Sequence, residues 1–372
     1  MRIGLVVYGS LDVVSGGNVY DRTLVEHLSD RGHDVEVVSF PLRSYALRIT
    51  QNWQSGPLGR RLRSGSFDVL LQDELVHPSL FRLNRSLRCP IVSIVHHLLS
   101  SEERHPSLNR FYRAVEKSYL ETVAAFVFNS QTTRETVEAL LARPTCHVVA
   151  TPGGDRLRSH LTPGEIEARA REKDGFRLLF VGNLIPRKGL HILLDALPSL
   201  GHRRWHLDVV GSLEMDPAYT TDTRRRIRAH GLGDRITLHG SLEGDALRQR
   251  FERAQLLVVP STYEGFGIVY LEAMGFGLPV VASSTGATHE IVRQEINGFL
   301  VPPGDTAALG DRLEHLIDDR NRLAKMSLAA YESFREHPTW EQSMAAIEEF
   351  LREVARGRGD SPVEGSDSHG FQ

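Results

Sequence analysis

Hydrophobic positions in this chain fall into short unbroken runs separated by stretches with helical spacing. Residues Arg2–Tyr8 (RIGLVVY) form a β-branched run of the kind that a parallel strand buried on both faces requires. Val19, Leu24 and Leu28 then recur at helical intervals over 19–31, stop at Gly32, and give way to a second run at 35–40. The loop 9–18 between strand and helix contains Gly16-Gly17 and lies at the carboxyl end of the first strand, where open α/β sheets bind ligands. The alternation continues with strands at 67–71, 90–95, 124–128 and 147–150 and helices at 108–120 and 131–141, closing at the turn Thr151-Pro152-Gly153-Gly154-Asp155. Residues 158–175 are polar, include a Pro-Gly pair, and read as a linker with room for one short helix. The pattern then restarts: a strand at Phe176–Val181, a loop to Gly189, a helix from Leu190, and strands at Trp205–Val210, 235–239, Leu256–Val259 and 280–282.

This doubled rhythm predicts an α/β protein of two Rossmann-like domains, 1–157 and 176–336. A final amphipathic helix spans Trp340–Ala355, with Met344, Ile347 and Leu351 on its apolar stripe and Thr339 with Gln342 as a capping box. The tail from 357 to 372 is rich in Gly, Ser and Asp and reads as disordered; its Arg358-Gly359-Asp360-Ser361 is a chance match to an adhesion motif.

Composition narrows the function. At 372 residues and a formal net charge of −3, the chain has the bulk for two cores and no overall basic footprint for nucleic acid. Cys89 and Cys146 lack metal-binding spacing and fit a reducing compartment. The first apolar run is too short for a signal peptide or a span, so a cytoplasmic protein is expected. Residues 42–63 depart from the average. Arg43, Arg48, Arg60, Arg61 and Arg63 occur there without an acidic residue, interleaved with Tyr45, Leu47, Ile49, Trp53 and Leu58. Such a segment suits a lipid-linked or anionic acceptor, or peripheral contact with the inner face of a membrane; the plainer reading is a solvated face next to a partly packed helix.

Candidate chemistry gathers in the second half. In PSTYEGFGIVYLEAMGFGLP (260–279) a buried strand runs into a loop with Gly265 and Gly267 and then a helix, with Glu264 in the loop and Glu272 on the helix. The helix start favours an anion, and the glycines let a ligand approach the backbone. Taken alone, E-x7-E also describes two solvated glutamates. Arg187-Lys188, before the helix at Leu190, pair a guanidinium fork with a point charge, which suits a diphosphate; no Ser or Thr follows the lysine, so this is not a magnesium-binding P-loop. Gly240-Ser241-Leu242 ends another strand, where backbone groups can read a base edge. In the first half, His96-His97 end a strand, so one of the two faces each side of the sheet. No dinucleotide G-x-G-x-x-G follows the first strand, and the second strand lacks an acidic residue at its end for a ribose.

FVGNLIPRKG (180–189) and PSTYEGFGIVYLEAMGFGLPVVAS (260–283) resemble the retaining glycosyltransferases of family 4, and the resemblance extends from RIGLVVYGS to the Trp340 helix. It implies the GT-B fold: two Rossmann-like α/β/α domains facing across a deep cleft, an acceptor-binding domain first and a nucleotide-sugar domain second, with a helix at 337–356 packing back on the first. It implies transfer of a sugar from a UDP- or GDP-linked donor to an acceptor hydroxyl, with no metal or other cofactor. By the same resemblance Arg187 and Lys188 hold the donor diphosphate and Glu272 the ribose. Glu264, with the amides of Phe266, Gly267 and Ile268, meets the transferred sugar. Gly16 and Gly17 close on the phosphate, Gly240 and Leu242 border the base, and His96, or less readily His97, approaches the reacting centre. The turn Pro152-Gly153-Gly154-Asp155 is one residue tighter than the commoner form. A nucleotide-sugar epimerase of the same fold and a non-catalytic nucleotide-sugar-binding protein are the alternatives.

Overall fold

The computed structural model describes residues 1–13, 15–53 and 56–357; the tetrapeptide at 358–361 and the rest of the tail lie outside them. The chain divides into two compact units, one of Met1–Thr151 with the residues from Glu341 onward, the other of Pro152–Trp340.

The first unit is built on a six-stranded sheet with strands β1 (Arg2–Tyr8), β2 (Asp34–Phe40), β3 (Val69–Asp73), β4 (Ile91–Val95), β5 (Ala125–Phe128) and β6 (His147–Val149) in the order β2-β1-β3-β4-β5-β6. All five pairings are parallel, which explains the unbroken apolar runs: Leu5, Leu71, Val92 and Val127 are each essentially buried. Each such side chain contributes about 1.5–3 kcal/mol when taken out of water. The first helix, Gly16–Asp30, begins earlier than its hydrophobic period suggests, because the Ser15 side chain accepts from the Asn18 amide and caps it. Gly16 and Gly17 thus form the helix's first turn and are not a free loop. The basic segment folds as two short helices, Tyr45–Thr50 and Pro57–Ser64. Within the first unit Met344, Ile347 and Leu351 of the final helix, Trp340–Ala355, are buried. Glu348 of the same helix meets both His27 Nε2 at 3.1 Å and His33 Nε2 at 3.0 Å.

The second unit repeats the design with β7 (Phe176–Val181), β8 (Trp205–Val210), β9 (Ile236–Leu238), β10 (Leu256–Val259), β11 (Val280–Ser283) and β12 (Gly298–Val301), ordered β12-β11-β10-β7-β8-β9. The stretch 158–175 is not a linker. Its helix Pro163–Arg171 carries a complete Thr162–Glu165 capping box, buries Ile166 and Ala170, and packs on the helix Arg320–Glu336. Arg169 fastens it, donating to the carbonyls of Phe276 (2.5 Å) and Glu252 (3.0 Å); burial brings this guanidinium's pKa down to about 10.

Candidate active site

β7 is the first strand of the second sheet, and its neighbours β8 and β10 lie on opposite sides of it. The chain order therefore reverses between β7 and β10, and the loops leaving their carboxyl ends flank a topological switch point, the place where open α/β sheets bind ligands. Those loops are the two motif segments. Gly189 (φ +71°) lets them touch: a Cβ there would sit 2.0 Å from the Pro260 carbonyl oxygen. The Thr262 amide donates to the Arg187 carbonyl at 2.8 Å and stitches the loops together.

The side chains converge on Glu264, which is buried. Its Oε1 takes Lys188 Nζ at 2.5 Å and the Ser261 hydroxyl at 2.6 Å, and Arg187 Nη1 lies 3.9 Å from Oε2 while donating to the Tyr263 carbonyl at 2.8 Å. Burial alone would raise the Glu264 pKa, but the Lys188 and Arg187 charges outweigh it and hold the carboxyl at about 2. Burial pulls Lys188 below its usual value against the attraction of Glu264, so the ammonium's charge depends on that carboxylate. The helix Ile268–Gly275 follows directly, capped by Gly267 at φ +99°, where a Cβ would strike the Tyr270 ring at 2.3 Å. Phe266 is buried beside this helix start and Ile268 is half-buried. Glu272 is buried within the helix, and its Oε1 receives Arg156 Nε at 2.8 Å and Nη2 at 2.7 Å. Burial raises the Glu272 pKa and Arg156 opposes the rise. After β9, Gly240 takes a left-handed conformation and its carbonyl accepts from the Gly211 amide at 2.9 Å, while Leu242 packs against the core.

In the first unit the two histidines separate as strand alternation requires. His96 is buried against the first helix: Nε2 lies 3.0 Å from Asp21 Oδ1, the ring meets Tyr20 edge-on, and a Cβ on Gly17 would come within 3.1 Å of it. His97 turns to Glu102, 2.9 Å away. Burial disfavours the charged His96 ring, but Asp21 and then Asp73 raise its pKa above the usual value. Asp73, buried with Asp21 nearby, is pushed up to about 7.

The structure thus brings Arg187, Lys188, Glu264, Gly267 and Ile268 together at one switch point, and His96 together with Gly17 in the other unit. Sequence reasoning passed over Ser261, Arg156, Asp21 and Asp73. Ser261 lies inside the motif and was within reach; Arg156 and Asp21 have no local signal, because their partners are far along the chain. Among the described residues two buried groupings have ligand types suited to a cation, Asp21 with Asp73 and His96, and Glu74 with His77 and Glu116, both in the first unit.

Comparison with known proteins agrees with this architecture. Residues 14–154 match Glycosyltransferase Family 4 and residues 164–333 match Glycosyl transferases group 1. The chain belongs to the family 4, group 1 glycosyltransferases. It is 32% identical over 201 residues to an uncharacterized glycosyltransferase of Methanocaldococcus jannaschii, a match spanning half of either chain. It is 29% identical to a phosphatidyl-myo-inositol mannosyltransferase of Mycobacterium leprae over 85% of this chain and 87% of that one. Its fold is that of sucrose-phosphate synthase from Thermosynechococcus elongatus (TM-score 0.77, 21% identity, 96% and 99% of the two chains). Anabaena HepE, solved with UDP and glucose, is similar to the same degree (TM-score 0.77, 21% identity, 95% and 100%).

Proposed function

We propose that this protein transfers a hexose from a nucleotide-diphosphate sugar, UDP- or GDP-linked, to an acceptor hydroxyl with retention of anomeric configuration and without a metal ion. The observation that carries this reading is the buried Lys188–Glu264 pair with Arg187 beside it, set in front of a helix start at the switch point of the second sheet. In this reading Arg187 and Lys188 hold the diphosphate and neutralise the charge that grows on it as the sugar–phosphate bond opens, which takes the place of a metal. Glu264 and the amides at Phe266, Gly267 and Ile268 orient the sugar, Glu272 binds the ribose, and the base rests by Gly240 and Leu242. The acceptor hydroxyl attacks the face that the diphosphate leaves, and the diphosphate takes its proton; no glycosidase-type carboxylate pair is needed. Gly16, Gly17 and His96 are the first unit's candidates for the chemistry, with Asp21 holding the His96 ring.

A lipid-linked acceptor is supported by the likeness to phosphatidyl-myo-inositol mannosyltransferase and by exposed apolar side chains at Leu42, Leu47, Leu108 and Phe111 in the unit that carries the basic segment. No helix among the described residues is long and apolar enough to cross a membrane, so membrane contact in this reading is peripheral. Arg61 is engaged with Glu36, which leaves Arg43 and Arg63 among the exposed arginines to face lipid. The reaction is tested by a thermal-shift panel of UDP, GDP, ADP and their sugars, followed by NMR of the sugar first released from the stabilising donor. One uridine or guanosine nucleotide should stand out, since stabilisation grows with ligand over its dissociation constant, and the released sugar should keep the donor's anomeric configuration. Release of the opposite anomer, or of an epimer, would overturn it.

A further inference from the structure

The opposite edge of the second sheet carries another basic site. β7, β8 and β9 are parallel, so their first residues gather at the edge away from the Lys188 and Glu264 loops. A cavity of about 460 Å³ opens there, lined by Phe176, Arg177, Arg204, Trp205, His206 and Arg235. Among the described residues Asp174 is the one carboxylate in its lining. The three arginines form no ion pair with any of the described residues. Arg235 donates to the Gly201 and Arg203 carbonyls at 3.3 and 3.4 Å and lies 5.2 Å over the Trp205 ring, while Arg177 and Arg204 are exposed. His206 Nε2 is taken by Thr237 at 3.0 Å.

Two donors beside this cavity are buried without an acceptor among the described residues. Trp205 is 6% exposed and its indole N–H is buried without an acceptor. Arg320, stacked 4.5 Å over the Phe176 ring, gives one N–H to the Gly175 carbonyl at 3.2 Å, while its Nη1 is buried with none. Clustered guanidiniums repel one another, and an anion held among Arg177, Arg204 and Arg235 would offset that repulsion. Guanidinium forks match phosphoryl oxygens two at a time.

We propose that this cavity binds a soluble phosphate-bearing anion at a second site, distinct from the Arg187-Lys188 loop. Sodium tripolyphosphate titrated into the full chain at low ionic strength, followed by tryptophan emission and calorimetry, tests this. The expected result is saturable binding with an emission change that Trp205→Phe abolishes. The double variant Arg177→Ala/Arg204→Ala should bind at least tenfold more weakly with an unchanged melting temperature, and Lys188→Ala should keep the site. Absence of saturable binding, equal affinity in the double variant, or loss of the signal in Lys188→Ala alone would overturn the proposal. So would binding to phosphatidylglycerol vesicles with none to tripolyphosphate, which would make the site a membrane contact.

Discussion

At the scale of the residue, the centre of the account is one buried ion pair. Glu264 is held at about 2 against an ordinary 4.5 because two cations face it. Its folded value lies below its unfolded one, so the stability it adds is fully present above about pH 4.5 and is lost as pH falls toward 2. Melting curves of wild type and Glu264→Gln should therefore differ by a constant amount from pH 5 to 7 and converge in stronger acid. The glutamine variant should be the less stable, by about 3 kcal/mol, since it leaves Lys188 buried without its carboxylate. Glu272 follows a different logic: Arg156 is its ionic partner, so Arg156→Ala should push its already raised pKa higher and weaken nucleotide binding about tenfold, measurable by calorimetry. E-x7-E alone did not separate these two glutamates. Their partners, Lys188 and Arg156, lie 76 and 116 residues away along the chain, and only the fold brings them in.

Elements were legible wherever apolar runs are long. β1 appears in the sequence with the bounds it has in the structure, as do β7, β8, β10 and the final helix, because the strands are dominated by apolar residues with few polar interruptions and the helix carries a regular apolar stripe. The helix Pro163–Arg171 reads as part of a linker because it buries only Ile166 and Ala170 and is fixed by Arg169, a charged residue that reads as surface. β12 was hidden because it is four residues long and begins with Gly298, a glycine kept by close packing: a Cβ there would stand 2.1 Å from the Val280 carbonyl. Gly189 is the corresponding point in the site. Gly189→Ala would force a left-handed alanine against the Pro260 carbonyl, and it should cost about 2 kcal/mol or more, read as a lower denaturant midpoint together with weaker nucleotide binding. A substitution that lowered neither would show that the two loops do not depend on their contact.

For the whole molecule, the two sheets are an expectation met, and the final helix lies with the first unit as the resemblance implies, while the first joint differs: the second unit begins at Pro152 and takes in 158–175. Glu348 ties that helix to His27 and His33, and these bonds hold its carboxyl below the usual range against burial that would raise it. Its contribution is therefore present at neutral pH and lost in acid. Glu348→Ala should lower first-unit stability by about 1–3 kcal/mol at pH 7, with the gap closing as the carboxyl protonates, as hydrogen exchange of the helix Gly16–Asp30 would report.

The central claim is that the second unit holds a nucleotide diphosphate through Arg187 and Lys188, and calorimetric titration of the stabilising nucleotide into wild type and Lys188→Ala tests it most directly. Wild type should bind one nucleotide per chain and the variant at least a hundredfold more weakly, with the circular dichroism of the fold retained. Equal affinity in the two proteins would contradict it.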